Sequence, residues 1–258
     1  MTIKEKYNKI VNLYEKQVNL SHRTSESIRL AQFSTAAPIA YIAGIYCGFD
    51  KRGKYFEPSA GNGLLTIAGK SEYFIVNEID PVRNRNLKTQ DFKLVLNEDA
   101  SEPFTEYQKY FDAIITNPPF GKIDETVYYE EFPINSLEML MALRALDTMK
   151  DGGRAAFIIG GHTIWDAQGR IQAGKNRIFF SYLYKHYNVE DVINISGKKL
   201  YARMGTGVDI RLVLINGRKK KPEGFPPLMN KNLNVYQNHS SVTVDNFDIL
   251  FDRIKQLL

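Results

Sequence analysis

The sequence predicts an α/β fold built around a mostly parallel β-sheet, and three observations lead to this prediction. Five short apolar segments recur along the chain, stretches with helical spacing of apolar residues separate them, and polar residues or glycines follow each segment. Uninterrupted apolar strands of this kind are typical of a sheet that helices cover on both faces. Ligands of such sheets bind beyond the carboxyl ends of the strands, where these polar residues collect.

The part of the chain before the first strand is predicted to be helical. Apolar residues at helical spacing predict an amphipathic helix over residues 4–20, a short helix over 25–31 and a buried, almost wholly apolar helix over 36–46. We therefore expect residues 1–31 to form a helical arm and residues 32–258 to form one α/β domain.

The five strands follow one another along the middle of the chain. They are predicted over residues 55–56, 73–76, 93–96, 111–116 and 155–159. Before the fifth strand, residues 135–150 have the clearest helical spacing of apolar side chains. After it, residues 192–195 and 210–215 are predicted to pair as antiparallel strands at the edge of the sheet, and residues 247–258 to form a terminal helix.

Composition sets limits on the class of protein. A chain of 258 residues is long enough for one large α/β domain, and it has no apolar stretch of the roughly 20 residues needed to cross a bilayer. The only cysteine, Cys47, excludes an internal disulfide and a cysteine-based zinc site, so a cytoplasmic protein is expected. The net charge of +5 weakly favours a polyanionic partner.

The basic residues are concentrated in one segment near the predicted edge strands. They are Lys198, Lys199, Arg203, Arg211, Arg218, Lys219, Lys220 and Lys221. Two interpretations stay open from the sequence: a solvated end of a hairpin, or a surface that contacts phosphates.

The tetrapeptide that closes the fourth strand is the most specific motif. Asn117, Pro118, Pro119 and Phe120 directly follow the apolar run 111–116. Two prolines fix φ and remove two backbone donors, so the strand cannot continue. What remains is a rigid turn with carbonyls, a side-chain amide and an aromatic ring, which suits holding a planar amino group for transfer to its nitrogen.

The ends of the first three strands predict a binding site for an adenosine-type ligand. The turn 57–63 carries Gly61 and Gly63, whose lack of a side chain lets backbone approach a ligand closely. It lacks the third glycine of a dinucleotide-binding fingerprint. Glu57, Glu78 and Asp99 end successive strands at intervals of 21 residues, and a carboxylate at such an end is able to bind ribose hydroxyls or an adenine amino group.

Three motifs together resemble the S-adenosylmethionine-dependent amino-methyltransferases, in particular the gamma-type adenine-N6 group. The motifs are residues 32–35, which are followed by Ala36 where the family usually has proline, residues 57–63 and residues 117–120. The resemblance covers roughly residues 30–216. It implies a Rossmann-like class I methyltransferase fold, an α/β fold with a seven-stranded, mostly parallel sheet and an antiparallel edge strand, preceded by N-terminal helices.

The resemblance also implies a cofactor, S-adenosyl-L-methionine, and the residues that bind it, with no metal. Phe33 and Thr35 would pack on or bond to the cofactor, and Glu57, Gly61 and Gly63 would line its methionine end. Glu78 would hold the ribose, Ile79 would flank the adenine and Asp99 would meet the adenine N6. The implied cofactor-binding residues are Phe33, Thr35, Glu57, Ser59, Gly61, Gly63, Glu78, Ile79, Asp99, Ala100 and Asn117. The implied catalytic residues are Asn117, Pro118, Pro119 and Phe120.

The expected function is methyl transfer to the exocyclic N6 of adenine in nucleic acid, either DNA or RNA such as rRNA or tRNA. No segment is long enough to be a separate target-recognition domain, so a homodimer or a separate recognition subunit is expected as a partner. Two alternatives stay open: a protein glutamine N5-methyltransferase and a non-catalytic nucleic-acid-binding subunit. His162 and Trp165, past the fifth strand, and a loop with Tyr128 and Tyr129 are further candidates for substrate contact, with packing against their own domain as the alternative.

Overall fold

A mixed eight-stranded β-sheet organises the computed structural model, which describes residues 1–19, 34–229 and 242–258. The strands of the chain are β1 Tyr55–Glu57, β2 Phe74–Asn77, β3 Leu94–Leu96, β4 Phe111–Thr116, β5 Lys122–Tyr129, β6 Phe132–Ser136, β7 Met149–Gly160, β8 Tyr187–Ile195, β9 Ile210–Arg218 and β10 Thr243–Val244. The order across the large sheet is β3-β2-β1-β4-β7-β9-β8-β10, and β5 and β6 form a separate hairpin. The predicted α/β class and the five predicted parallel strands are confirmed.

Helices cover both faces of the sheet. They are α1 Ile3–Lys16, α2 Ala37–Tyr46, α3 Pro81–Leu87, α4 Leu137–Thr148, α5 Lys175–His186, α6 Gly197–Leu200 and α7 Phe247–Lys255. Alternate residues of the strands enter two hydrophobic cores, one under α1, α2 and α7 and the other under α4 and α5. In the described ranges, no helix combines the length and the apolar character that crossing a membrane requires.

The first helix packs on the domain through two buried tyrosines. The hydroxyl of Tyr7 donates to the carbonyl of Phe247 in α7 at 2.8 Å, and that of Tyr14 donates to the carbonyl of Leu200 at 2.8 Å. Thr2 and Glu5 form a capping box at the start of α1, which satisfies backbone donors there. The short helix expected over 25–31 lies outside the described residues, and the boundary of the arm at residue 31 stays a prediction.

The antiparallel strand lies inside the sheet and not at its edge. β9 pairs antiparallel with β7 on one side and with β8 on the other, so the expected antiparallel pairing of β8 and β9 is confirmed but its edge position was wrong. The sheet also has eight strands where seven were expected, because β10 pairs parallel with β8. Six consecutive residues of β9 are buried, as is typical of an internal strand in a sheet that is covered on both faces.

The segment after the tetrapeptide 117–120 forms a hairpin where a loop was expected. β5 pairs antiparallel with β6, and Tyr129 opposes Phe132 across a two-residue turn. The turn consists of Glu130, with φ 53°, and Glu131, which is not a sequence typical of hairpin turns. Tyr129 packs inward against α5, whereas Tyr128 is 68% exposed. The prediction of a loop was therefore wrong for both tyrosines.

Candidate active site

The glycine turn after β1 is held by a carboxylate from the next strand. Gly61 and Gly63 have φ of 58° and 84°, values that an L side chain rarely adopts. The backbone N–H of Gly61 donates to Oε2 of Glu78 at 2.7 Å, and the N–H of Asp80 donates to Oε1 of the same carboxylate at 2.8 Å. Burial raises the pKa of Glu78, and these two hydrogen bonds oppose the rise. Glu78 thus connects the glycine turn with the start of α3.

Glu57 closes β1 as a completely buried carboxylate. Its Oε1 accepts from the backbone N–H and the hydroxyl of Ser59, at 3.1 and 3.3 Å. Its Oε2 is buried without a hydrogen-bond partner among the described residues. Burial raises the pKa of Glu57 well above its ordinary value, and the bonds from Ser59 partly oppose this. An orphaned buried carboxylate oxygen at a glycine turn fits a ligand that carries a positive charge.

A buried asparagine, which sequence reasoning missed, fixes two of the strand-end loops. The side-chain nitrogen of Asn77 donates to the carbonyls of Pro58 and Glu98, at 2.9 and 3.0 Å, and its oxygen accepts from the N–H of Glu98 at 2.8 Å. Its side chain is 1% exposed. The signal was present in the sequence, since a buried amide that closes an apolar strand needs hydrogen-bond partners.

The end of β4 brings the tetrapeptide beside the glycine turn. The hydroxyls of Thr116 and Ser59 lie 2.7 Å apart, which ties the end of β4 to the turn after β1. The side-chain nitrogen of Asn117 donates to Oγ1 of Thr35 at 2.9 Å, and Thr35 is itself buried. This hydrogen bond fixes the orientation of the Asn117 side-chain amide, because its nitrogen has to face Thr35.

The ring of Phe120 lies against the end of β7. A Cβ added to Gly160 would lie 3.3 Å from two atoms of this ring, so the glycine allows the ring to approach the strand. The next residue, Gly121, donates its N–H to Oε2 of Glu138 at 3.1 Å. Neither Gly160 nor Glu138 was predicted as part of the site, because both are distant in sequence from the tetrapeptide.

These elements enclose a cavity of about 860 Å³ at the carboxyl ends of the parallel strands. The predicted site residues on its wall are Thr35, Ser59, Gly61, Gly63, Glu78, Ile79, Asp99, Ala100, Asn117, Pro119 and Phe120. Glu57 and Pro118 are not on the wall, and Phe33 lies outside the described residues. Leu137 and Met141 of α4 also line the cavity and were not predicted. The volume is in the range of pockets that enclose a drug-sized molecule.

A second cavity, of about 10 Å³, adjoins Asn117 and Phe120 on the side of β9. Its other lining residues are Tyr201, Thr206, Val208 and Ile210. His162 and Trp165 are on neither wall: Nε2 of His162 lies 3.4 Å from Asp209, and Trp165 pairs with Ile171. Throughout the ranges that the structure describes, no group of His, Cys, Asp and Glu side chains could hold a metal ion.

Solved methyltransferase structures have a similar fold. A modification-subunit structure from Vibrio vulnificus, described as part of a type I restriction enzyme, superposes with a TM-score of 0.57 at 16% identity, covering 86% of this chain and 51% of that one. The M protein of the type I restriction enzyme EcoKI superposes with a TM-score of 0.55 at 17% sequence identity, covering 76% of this chain and 46% of that one. A Listeria monocytogenes protein described as a class I S-adenosylmethionine-dependent methyltransferase superposes with a TM-score of 0.55 at 12% sequence identity, covering 100% of this chain and 81% of that one.

The chain spans about half the length of the modification subunits that it matches. The family model for N-6 DNA methylases matches residues 83–248, which is more than half of the chain and includes the tetrapeptide that closes β4. The similarity in fold and the tetrapeptide beside a cavity at the strand ends agree with this match. This chain belongs to the N-6 DNA methylase family.

Proposed function

We propose that this chain transfers a methyl group from S-adenosylmethionine to the exocyclic N6 of adenine in DNA. The observation that carries the proposal is the position of Asn117, whose amide is oriented by Thr35 on the wall of the large cavity, next to Phe120. Membership of the N-6 DNA methylase family favours DNA over RNA as the substrate.

The residues at the ends of β1, β2 and β3 fit the cofactor. The turn with Gly61 and Gly63 would approach its methionine end, Glu78 its ribose, and Ile79 and Asp99 its adenine. Bound there, S-adenosylmethionine supplies a methyl group on a positively charged sulfur. The positively charged sulfur would in turn lower the raised pKa of the buried Glu57 carboxyl and favour its ionised form, which has an oxygen without a partner among the described residues.

The tetrapeptide would hold and activate the adenine amino group. The lone pair of this amine is delocalised into the ring, so the free amine is a poor nucleophile. The side-chain oxygen of Asn117 on the cavity wall would accept one N–H, and the carbonyl of Pro118, which does not itself line the cavity, would accept the other. These bonds favour a tetrahedral nitrogen and stabilise the positive charge that develops there. The ring of Phe120 would stack on the base and fix its orientation. The proton leaves after the transfer, so no strong general base is needed before it.

A base inside a duplex is out of reach, so the target adenine has to leave the helix. Lys198, Lys199 and Arg203 flank Tyr201, which lines the small cavity beside Phe120. All three are exposed, and none forms an ion pair with another described residue. This supports the phosphate-contacting interpretation for these three residues, because unpaired surface cations near a site attract the nucleic-acid backbone. Arg211 was wrongly included in the basic surface, because it is buried within β9.

Recognition of the target sequence would come from outside the described residues. These residues form one sheet with its covering helices and a hairpin. At the carboxyl ends of the parallel strands, the tetrapeptide and the glycine turn line the large cavity, and no separate domain lies beside them among the described residues. We propose that a separate recognition subunit, or a further part of the protein, supplies this contact. A homodimer is the competing arrangement, and the mass of the complex on target DNA distinguishes the two.

The test combines cofactor binding with methyl transfer. Calorimetry measures binding of S-adenosylmethionine, and labelled cofactor is then incubated with duplex DNA, structured RNA and a protein pool. We expect binding, and N6-methyladenine in DNA detected by mass spectrometry after digestion. Label in the glutamine side chains of the protein pool would support the protein methyltransferase. Cofactor binding without methyl transfer would support the non-catalytic subunit. Either result would overturn the proposal. Asn117→Ala should retain cofactor affinity and lose transfer by about 100-fold or more.

A further inference from the structure

We propose that Glu138 is a positioning residue that fixes the chain where it leaves the catalytic turn 117–120, and that the half-exposed Lys175 and the buried Arg211 complete a charge cluster with Glu138. The role in catalysis rests on the proposed methyl transfer, whereas the contacts themselves do not. Glu138 and Lys175 belong to the first turns of α4 and α5, and Arg211 lies in β9, so three separate elements meet at this point.

The first turn of α4 holds the peptide unit that follows Phe120. Oε2 of Glu138 accepts the N–H of Gly121 at 3.1 Å, and the carbonyl of Gly121 accepts the N–H of Leu137 at 3.0 Å. Gly121 is thus bonded on both its N–H and its carbonyl. Because Phe120 precedes Gly121 directly, these bonds set the direction in which the chain leaves the ring that is proposed to stack on the base.

The buried carboxylate of Glu138 needs a positively charged or hydrogen-bonding partner to be stable. Its side chain is only 5% exposed, and a buried carboxylate without a partner would be strongly destabilising. Nζ of Lys175 lies 3.4 Å from Oε1 of Glu138 and donates to Oγ of Ser136 at 3.0 Å. The position of Glu138 in the first turn of α4 adds a favourable interaction with the helix dipole.

Arg211 holds the end of β7, against which the ring of Phe120 rests. Nη2 of this buried arginine donates to the carbonyl of Gly160 at 2.6 Å and to Oδ1 of Asn176 at 3.0 Å. Gly160 is the residue on which the ring of Phe120 rests, and Asn176 is next to Lys175 in α5.

Arg211 and Glu138 also interact through their charges. Burial lowers the pKa of the Arg211 guanidinium to about 10, and the charge of Glu138 opposes the shift. The turn 120–121 is therefore bonded to the carboxylate of Glu138 and rests on a strand end that is bonded to Arg211, and these two opposite charges stabilise each other. A change in this cluster should move Phe120 and leave the glycine turn, which Glu78 holds separately, in place.

Two variants of Glu138 separate its hydrogen bond from its charge. Glu138→Gln keeps a neutral acceptor for Gly121, and Glu138→Leu removes the acceptor. Asp147→Asn is the matched control, because it makes the same change of charge on α4, about 13 Å further along the helix. In the wild type, the hydroxyl of Tyr129 donates to Oδ2 of Asp147 at 2.9 Å, and the amide oxygen of asparagine is able to accept the same bond. Lys175→Met tests the charge partner if the leucine variant does not fold.

Hydrogen exchange at Gly121 measures the contact without any activity. We expect faster exchange in the order Glu138→Leu, Glu138→Gln, wild type, with Asp147→Asn equal to wild type. We expect kcat for methyl transfer to fall about tenfold or more in the leucine variant, less in the glutamine variant, with cofactor affinity unchanged. Lys175→Met should speed exchange and lower kcat in the same direction.

The outcomes separate this inference from the proposed function. If wild type methylates no nucleic acid, the proposed function fails, while faster exchange at Gly121 in the variants still supports the contact. Unchanged exchange in both Glu138 variants would overturn the inference. Faster exchange with unchanged kcat in an active enzyme would overturn the positioning role, and equal loss of activity in Asp147→Asn would do the same.

Discussion

The side-chain nitrogen of Asn117 lies 2.9 Å from Oγ1 of Thr35, a residue 82 positions earlier in the chain. Thr35 is buried and lies just before α2, whereas Asn117 follows β4. The hydroxyl accepts the amide N–H, so it determines where the Asn117 oxygen lies. Thr35, predicted to bind the cofactor, therefore also has a direct contact with the proposed catalytic amide.

Thr35→Val should impair catalysis more than cofactor binding. Valine preserves the shape of threonine but cannot accept the Asn117 N–H, so the amide loses the hydrogen bond that orients it towards Thr35. We expect kcat to fall about tenfold, as the loss of one positioning hydrogen bond predicts, and Thr35→Ser to retain most activity. Steady-state kinetics and calorimetry measure the two effects. A large loss of cofactor affinity with kcat intact would instead assign Thr35 to the cofactor alone.

Glu57 should make the stability of the cofactor-free protein depend on pH. Its pKa is raised by burial, so between its unfolded and folded pKa values the unfolded state binds fewer protons and stability falls as pH rises. We expect Glu57→Gln to flatten the fall in melting temperature between acidic and neutral pH. Part of the slope should persist, because the pKa of Glu78 is also raised. An unchanged slope in the variant would show that Glu57 does not titrate in this way.

Gly160→Ala should impair substrate binding and turnover with little effect on the free energy of unfolding. The new Cβ would lie 3.3 Å from the Phe120 ring, so the ring has to move by a few tenths of an ångström. We expect a higher KM for DNA and a lower kcat, and an unfolding free energy within about 1 kcal/mol of wild type. Gly152→Ala is the control, since its Cβ would meet no atom within 4 Å. Equal kinetics in the two variants would contradict the contact.

Removing Lys198 and Lys199 together should weaken DNA binding uniformly across sequences. Removal of one phosphate-binding cation reduces the slope of log K against log salt by roughly 1, so Lys198→Gln with Lys199→Gln should reduce it by about 2. The control is Lys51→Gln with Arg52→Gln, which removes two charges from the exposed loop before β1, at the amino ends of the parallel strands and away from the cavity at their carboxyl ends. Identical slopes in the two double variants would show that the basic segment is only a solvated surface.

Sequence patterns predicted the parts of the fold where hydrophobic periodicity and turn chemistry agree. β4 has the predicted bounds, and the helix over 37–46 differs from its prediction by one residue. The β5–β6 hairpin was missed because two glutamates form its turn, and a left-handed residue there has no sequence signal when it is not glycine or asparagine. β10 was missed because a two-residue strand has no periodicity of its own.

The sequence by itself determined the α/β class, the succession of parallel strands and the polar residues that close them. These properties depend on local chain chemistry: apolar runs, glycines that adopt positive φ, and prolines that end a strand. They were enough to indicate an adenosine-type ligand and a planar amine.

Only the tertiary structure decided which of these groups act on one another. Thr35 meets Asn117, Glu78 meets Gly61, and Glu138 meets Gly121 across 82, 17 and 17 positions of sequence. It also decided that β9 lies between β7 and β8 and that Gly160 lies beneath Phe120. The physical reason is that these contacts depend on packing and on the burial of charge, which arise when distant segments meet and which no local pattern encodes.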